Sequence, residues 1–406
     1  MRILFLSQYC SPEPDLKKVP FAAKLKELGH DVEILTGYPN YPFGKIYKGY
    51  KNRWVTREVI NGVDIIRVPL YPNHTKSAIK RAWNYLSFSL SAAIFGIFFV
   101  KRPDIIYTYH SPATITIPAL WFKLIFRSKI VYDINDYWPD SLRASGMIKN
   151  ESFLNLIHKL CKFSYRFFDK ITVVSQGFVE KLKSDGVPPG KITLIYNWPH
   201  PYGYNKSENY IKNKDLFENY ISIVYAGNIG SAQQLQIVVD IAARIWEKNN
   251  EVRFILVGDG LAKSELKKQV EKRGIKNIFF IDKVPLAELG VFLKNSSFLF
   301  LHLKADDLFK ITIPSKLFSY LSAGKPIISG VNGEANTIVK NSKSGIVFES
   351  ENTSDFLNSV EKALELSSVE LQQMGANGRK FFKENFSMES GVKKFNDIFL
   401  QLNQRS

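Results

Sequence analysis

The chain has 406 residues, 45% hydrophobic and 23% charged, long enough for two or three cored domains at roughly 100–200 residues each and too apolar for a disordered or low-complexity chain. Its 55 Lys and Arg against 38 Asp and Glu give a net charge of +17, and residues 1–200 hold 28 of the basic and 15 of the acidic residues, so the surplus that attracts anionic partners sits in the first half. Cys10 and Cys161 stand far apart with no ligand spacing around either, and no basic stripe, zinc-finger spacing or RNA-recognition signature is present, which argues against a disulfide framework, a metal site and a nucleic-acid partner and suits a reducing cytoplasm.

In chain order, Met1 is followed by the apolar run 3–6, ended too soon by Ser7-Gln8 for a signal peptide, so 2–6 is predicted as a first buried strand. Further strands are predicted at 31–36, 64–68, 104–108, 129–132, 170–174 and 193–196, where short runs rich in Ile, Val, Leu and Phe recur. Helices fall between them, one over 17–28 stopped by Gly29 at its C-terminus. The longest apolar stretch, 85–100, is short of the ~20 residues needed to cross a bilayer. It reads either as a buried core helix or as a helix lying partly in a membrane interface, flanked by Lys76, Lys80, Arg81, Lys101 and Arg102. From 197 to 220 the chain is rich in Asn, Tyr, Lys and Pro without periodic pattern, which marks a domain boundary.

Strands resume at 221–225, 252–257, 278–281, 298–301, 326–329 and 345–348, and helical pattern runs from Thr353 to the end with an interruption expected at Asn377-Gly378. Alternating strands and amphipathic segments imply an α/β chain of two doubly wound, Rossmann-like parallel-sheet domains. The expected division is 1–200, a linker at 201–220, a second domain at 221–385, and a C-terminal helix at 386–406 that packs back on the first domain. Ligands bind outside the carboxyl ends of the strands in such sheets, so a central cleft faced by both domains is the expected site.

The segment from Ile223 to Ser231 reads as a buried strand entering the turn Gly227-Asn228-Ile229-Gly230, with a helix from about Gln233. Glycines let a phosphate approach the backbone, and amides at a helix start attract anions; a tight turn without ligand is the alternative. Gly258-Asp259-Gly260 follows the next strand in the same way. Pro314 and Gly324 bracket one short helix whose polar start, Ser315 and Lys316, is placed to attract anionic oxygens. His110 follows the strand at 104–108, as a ligand-facing or an ordinary loop histidine. Asp133 and Asp136 stand with Asn135 at the next strand end, where a carboxylate either positions an acceptor hydroxyl or caps a helix.

Together with Ser7-Gln8-Tyr9, Leu28-Gly29-His30, Trp138-Pro139-Asp140-Ser141, Asn197-Trp198 and Pro314-Ser315-Lys316-Leu317-Phe318, these motifs span nearly the whole chain. In them the chain resembles glycosyltransferase family 4, retaining nucleotide-sugar transferases of the GT-B fold. It looks most like the subgroup with L-fucosamine transferases of bacterial O-antigen and capsule assembly. The resemblance implies donor contacts at Gly227, Asn228, Gly230, Lys310, Ser315, Lys316, Ser319 and Glu334, and catalytic positions at His110 and Asp136. It also implies a UDP-linked nucleotide sugar as donor, a lipid-linked oligosaccharide on a polyprenyl diphosphate as acceptor, and neither cofactor nor bound metal. The expected location is cytoplasmic, held electrostatically at the inner membrane face by the basic first half.

Several positions depart from the family pattern. Asp15-Leu16-Lys17-Lys18 stands in place of a paired-glycine loop, Ser231 in place of an arginine, and Ile311 and Ser319 in place of two glutamates. Lys310 or Lys316 is then the expected cation at the diphosphate, beside the amides of Gly227 to Gly230, and Ser319 or Glu334 the expected partner of the ribose. The departures leave open a non-catalytic GT-B partner in a glycan assembly complex, and a nucleotide-sugar 2-epimerase, which uses the same nucleotide cleft without a membrane acceptor, is the other reading.

Overall fold

The computed structural model describes residues 1–404 apart from 15–16, 76, 145–147, 149 and 200–201. Asp15, Leu16 and Lys76, singled out in the sequence, lie outside the described residues. The chain divides into two compact units, an amino-terminal one of Met1–Asn197 with Gly391–Ser406 and a carboxyl one of Trp198–Ser390.

The amino-terminal unit holds one eight-stranded sheet in the order β3-β4-β2-β1-β5-β6-β7-β8. Its strands are β1 (Arg2–Leu6), β2 (Asp31–Gly37), β3 (Thr56–Ile60), β4 (Val63–Val68), β5 (Ile105–His110), β6 (Lys129–Ile134), β7 (Lys170–Val173) and β8 (Ile192–Leu194). Seven match predicted strands, and β3 was not predicted. It is an edge strand paired antiparallel to β4, with Thr56, Arg57 and Val59 exposed, so it carries no apolar run. Its hairpin is legible only in Asn61-Gly62, both with positive φ as a two-residue turn requires.

The longer helices of this unit include α1 (Lys18–Glu27), α2 (Ala78–Phe99), α3 (Thr116–Phe126) and α4 (Glu151–Ser164), and the shorter Asp140–Ala144 and Gln176–Ser184 accompany them. The apolar stretch expected at 85–100 belongs to α2, which has 22 residues because its first two turns carry Lys80 and Arg81 and so do not read as apolar. Asn84, Phe88, Ala92 and Gly96, spaced by four, form its buried stripe. The C-terminal helix, Met388–Asn403, brings Phe395 against Phe21 and Tyr107 at centroid distances of 5.0 and 5.3 Å.

The carboxyl unit holds six strands, all parallel, in the order β11-β10-β9-β12-β13-β14. They are β9 (Ile221–Ala226), β10 (Val252–Val257), β11 (Ile278–Ile281), β12 (Phe298–His302), β13 (Ile327–Gly330) and β14 (Gly345–Val347). Tyr225, Val238, Ile241, Phe254, Phe300 and Phe356 lie in its core, filled from β9, β10, β12, the helix α5 (Gln236–Lys248) and the helix Thr353–Leu364. Further helices are α6 (Leu286–Asn295), α7 (Ser315–Ala323) and α8 (Ser368–Asn385).

Two expectations about this half are corrected. The stretch 201–220 is no bare linker, because it carries the short helices Glu208–Lys212 and Asp215–Glu218, whose Tyr210 and Phe217 rings pack on Phe292 of α6 at 5.5 and 5.8 Å. Helix α8 runs unbroken through Asn377-Gly378. A methyl group at Gly378 would come within 3.1 Å of Ser344 and 3.3 Å of Leu321, so the glycine serves close packing rather than a break.

Candidate active site

In each sheet the chain reverses its direction of winding at one place, between β1 and β5 in the first and between β9 and β12 in the second. Loops diverge there and leave room for a ligand beyond the carboxyl strand ends. The sequence-predicted site residues distribute between these two places.

In the carboxyl unit the Gly227 turn leaves β9 and the Gly258 turn leaves β10, and the two are laced by backbone. The Gly227 amide donates to the Val257 carbonyl at 2.8 Å and the Ile229 amide to the Asp259 carbonyl at 2.8 Å. Side chains at Gly258 and Gly260 would stand 1.9 Å from the Gly227 oxygen and 2.3 Å from the Ile229 oxygen, which is why both positions are glycine. The Gly230 amide donates to the Gln233 Oε1 at 3.0 Å, a partner the sequence reading missed. The amides of Gly227, Ile229 and Gly230 are therefore engaged within the protein rather than pointed at a ligand. The helix expected from about Gln233 begins at Gln236, after a single 3-10 turn over Ser231–Gln233. Positive charge at this turn comes instead from a side chain.

That side chain is Lys316. The Ala226 amide donates to the Tyr320 hydroxyl at 2.9 Å, which docks α7 on the end of β9. Lys316 stands one helical turn earlier on the same face of α7. A methyl group at Gly227 would fall 2.2 Å from its Cε and 3.0 Å from its Nζ, and the Nζ stands 5.0 Å from the Tyr225 ring centroid. No ion pair or hydrogen bond holds this ammonium among the described residues. Burial lowers its pKa from 10.5 to about 8. A half-buried cation with no ion pair among the described residues, set against bare backbone, is suited to receive an anion.

Beside it opens a cavity of about 490 Å³, lined by Gly227, Asn228 and Asp259 on one side and by Lys283, Pro285 and Leu289 on the other. The sequence reading missed the loop from Lys283 to Leu286, although it stands at the end of β11, next in the row after the two glycine turns. A larger hollow of about 550 Å³, among Gly324, Gly375, Arg379 and Lys383, lies where α8 crosses the end of α7 and touches no strand end.

The other donor candidates separate. Ser315 is exposed at the start of α7, and Ser319 is half-buried on the same helix with its carbonyl accepting from the Tyr202 hydroxyl at 3.1 Å. Lys310 is exposed and paired with Asp307 at 2.8 Å, which raises its pKa, so its charge is already committed. Glu334 opens the helix Glu334–Asn341 after Gly333, where a methyl group would stand 2.1 Å from the Lys310 carbonyl oxygen.

In the amino-terminal unit His110 is the last residue of β5, not a loop residue, and is 1% exposed. Its ring stacks on Tyr132 at 5.4 Å, and both ring nitrogens lack a hydrogen-bond partner among the described residues. Burial drives its pKa down to about 3, so the ring is neutral near pH 7.

Asp133 is fully buried within β6 and caps no helix. It accepts from the Tyr107 hydroxyl at 2.6 Å, the Thr172 hydroxyl at 2.7 Å and the Asn135 amide at 2.9 Å. Lys17 Nζ stands 3.6 Å away and donates to Asn197 Oδ1 at 2.5 Å. Lys17 was noted only as part of a lost glycine pair, and its role as counter-charge was missed. Asp136 is the open carboxylate of the pair. It reaches solvent, makes no ion pair or hydrogen bond among the described residues, and has its pKa raised by desolvation. The nearest helix begins four residues later at Asp140, so Asp136 does not cap it.

Comparisons with known proteins agree with this architecture. Residues 20–198 match the Glycosyl transferase 4-like domain family, and residues 206–381 match Glycosyl transferases group 1. The chain is 25% identical over 309 residues to WcaI of Escherichia coli (strain K12), whose name places it among glycosyl transferases of colanic acid biosynthesis, covering 73% of this chain and 74% of WcaI. In fold it is similar to Anabaena HepE in complex with UDP, with a TM-score of 0.69 at 15% identity over 99% of this chain and 100% of HepE. It is similar also to WaaG, a glycosyltransferase involved in lipopolysaccharide biosynthesis, with a TM-score of 0.61 at 15% identity over 98% and 99% of the two chains.

Proposed function

The chain is a glycosyltransferase with the two parallel-sheet units of the GT-B fold, and from that premise we propose that it transfers a sugar with retention from a UDP-linked donor to a sugar carried on a polyprenyl diphosphate, in bacterial surface polysaccharide synthesis. The donor belongs to the carboxyl unit and the acceptor to the amino-terminal unit, at the inner face of the membrane. The observation that carries the donor half is the unpaired ammonium of Lys316 against Gly227, beside a cavity of nucleotide size. Apolar Val284, Pro285 and Leu286 suit a base there, and Lys283 and Asn228 offer polar contacts. HepE with bound UDP and the names of WcaI and WaaG support the nucleotide and the pathway class. The transferred sugar in this reading is an amino-deoxyhexose such as N-acetyl-L-fucosamine, which rests on the resemblance of the sequence motifs alone.

In the proposed step the acceptor hydroxyl oxygen forms a bond to the anomeric carbon on the face from which the diphosphate leaves. The carbon–oxygen bond to the β-phosphate breaks, its electron pair stays on the phosphate oxygen, and that oxygen takes the hydroxyl proton. Lys316 neutralises the growing charge, in place of a metal. His110, uncharged and with no hydrogen-bond partner for its ring nitrogens among the described residues, is assigned to the donor sugar, and Asp136 orients the acceptor.

Incubating the protein with UDP-sugars and a synthetic polyprenyl diphosphate sugar tests the reading, with an elongated lipid-linked product expected. An epimerised free sugar nucleotide, or donor binding with neither product, overturns it.

A further inference from the structure

The connections β4→β5, β5→β6 and β6→β7 all step the same way across the first sheet, whereas β1→β2 steps the opposite way. Crossovers between parallel strands are right-handed, so α2, α3 and α4 cover one face of the sheet and α1 the other. Two contacts tie the three into a continuous layer. Arg102 Nε donates to the Phe126 carbonyl at 3.2 Å, and Lys123 Nζ to the Phe167 carbonyl at 2.8 Å.

The outer side of this layer is apolar. On α4, Phe153, Leu156, Leu160 and Phe163, continued by Phe167, recur every three or four residues and are 44–60% exposed. On α2, Ile79, Trp83, Leu90, Ile94 and Phe98 form a second exposed stripe, opposite the buried one. On α3, Trp121 and Leu124 are 43% and 71% exposed. A helix apolar on both sides is expected to be covered on both, and among the described residues these side chains stay exposed.

We propose that this face docks on an anionic lipid bilayer, with the apolar stripes sunk into the headgroup boundary. The proposal deepens the membrane partner of the reading above, but it stands on the surface itself. The charges beside the stripes fit lipid phosphates. Lys159, Lys162 and Arg166 are exposed along one flank of the α4 stripe, and neither lysine has an ion pair among the described residues. The acidic groups nearby are already held, Glu151 by Arg143 at 2.8 Å and Asp169 by Lys123 at 2.5 Å.

A second copy of the chain on this face would set one lysine flank against another, whereas bilayer phosphates oppose it favourably. Two tryptophans at the rim suit the headgroup region. The α2 helix, at 22 residues about 33 Å long, is by length and composition able to span a bilayer. It is anchored instead. Its buried Asn84 accepts from the Gln8 amide at 2.6 Å and donates to the Tyr71 carbonyl at 2.7 Å, bonds that insertion would break. The helix lies on the membrane, and attachment is apolar as well as electrostatic.

Flotation with vesicles of phosphatidylethanolamine and phosphatidylglycerol, without donor or acceptor, tests this. The wild-type protein is expected to float with the vesicles and to stay bound at about 1 M salt, where the Debye length falls to ~3 Å. Leu160→Asp with Phe163→Asp, and separately Leu124→Gln, should lower the vesicle partition about tenfold or more, with melting temperature and UDP binding unchanged. Full release of wild type by salt, or undiminished binding by either variant, overturns the proposal. So does a wild-type dimer in vesicle-free solution that the same substitutions dissociate, since the face would then belong to a second copy. Loss of sugar transfer with flotation intact strikes the function reading and leaves this one standing.

Discussion

At the strand ends of the amino-terminal unit a carboxylate is buried and satisfied from several sides, whereas at those of the carboxyl unit an ammonium has no counter-charge among the described residues. Asp133 receives two hydroxyls, an amide and the Lys17 ammonium. Lys316 stands beside an aromatic face and glycine backbone, with no ion pair or hydrogen bond among the described residues. The first arrangement is complete without a ligand and holds β5, β6, β7 and the start of α1 in fixed relation. The second is incomplete, because a dehydrated cation gains most from an anion that arrives later. The comparison separates a scaffold from a receptor among residues that look alike as charged groups near strand ends.

The largest expected effect comes from breaking the scaffold. Asp133→Ala leaves Lys17 without its carboxylate and the Tyr107 and Thr172 hydroxyls without an acceptor, which should cost about 3–5 kcal/mol. That corresponds to a drop on the order of 10 °C in the melting of the amino-terminal unit, read by calorimetry. An unchanged melting curve would show that the network does not hold the strands.

Breaking the receptor should spare the fold and weaken donor binding. Lys316→Ala removes a charged hydrogen-bond donor worth about 1.5–3 kcal/mol, so UDP affinity by titration calorimetry should fall about tenfold or more. The pH dependence sharpens this. With a pKa of about 8 the amine is charged below that value and neutral above it. UDP affinity should therefore decline as pH rises past about 8, and Lys316→Arg, whose guanidinium keeps its charge, should flatten the decline.

Gly258→Ala tests the backbone frame under Lys316. Its methyl group would stand 1.9 Å from the Gly227 oxygen, so the two turns must part. About 1–3 kcal/mol of stability should be lost from the carboxyl unit, together with UDP binding, as thermal melting and titration would report.

The smallest effect is expected at Lys310, whose exposed ammonium is already matched with Asp307. Lys310→Ala should leave UDP affinity within about twofold of wild type. A tenfold loss there, with Lys316→Ala silent, would move the receptor to the other lysine.

Periodicity and turn chemistry made the architecture legible before any coordinates. Thirteen of the strands announce themselves as runs of Ile, Val, Leu and Phe because parallel strands are buried on both faces. The edge strand β3, exposed along most of its length, has no such run and was visible only in its Asn-Gly turn. Gly227, Gly258 and Lys316 could be singled out because glycine and a helix start are local signals. What those groups do was decided at a distance. The amides of Gly227 and Ile229 are spent on carbonyls about thirty residues on, at Val257 and Asp259. Tyr320 sets Lys316 against Gly227 through a hydrogen bond to Ala226, ninety-four positions earlier. Lys17 meets Asp133 across three strands. The sequence by itself determined which segments bury and where the backbone turns, since these follow from the side chains of neighbouring residues. Only the tertiary structure decided which charges are paired and which stand open, because pairing depends on partners that the winding of the sheet brings together.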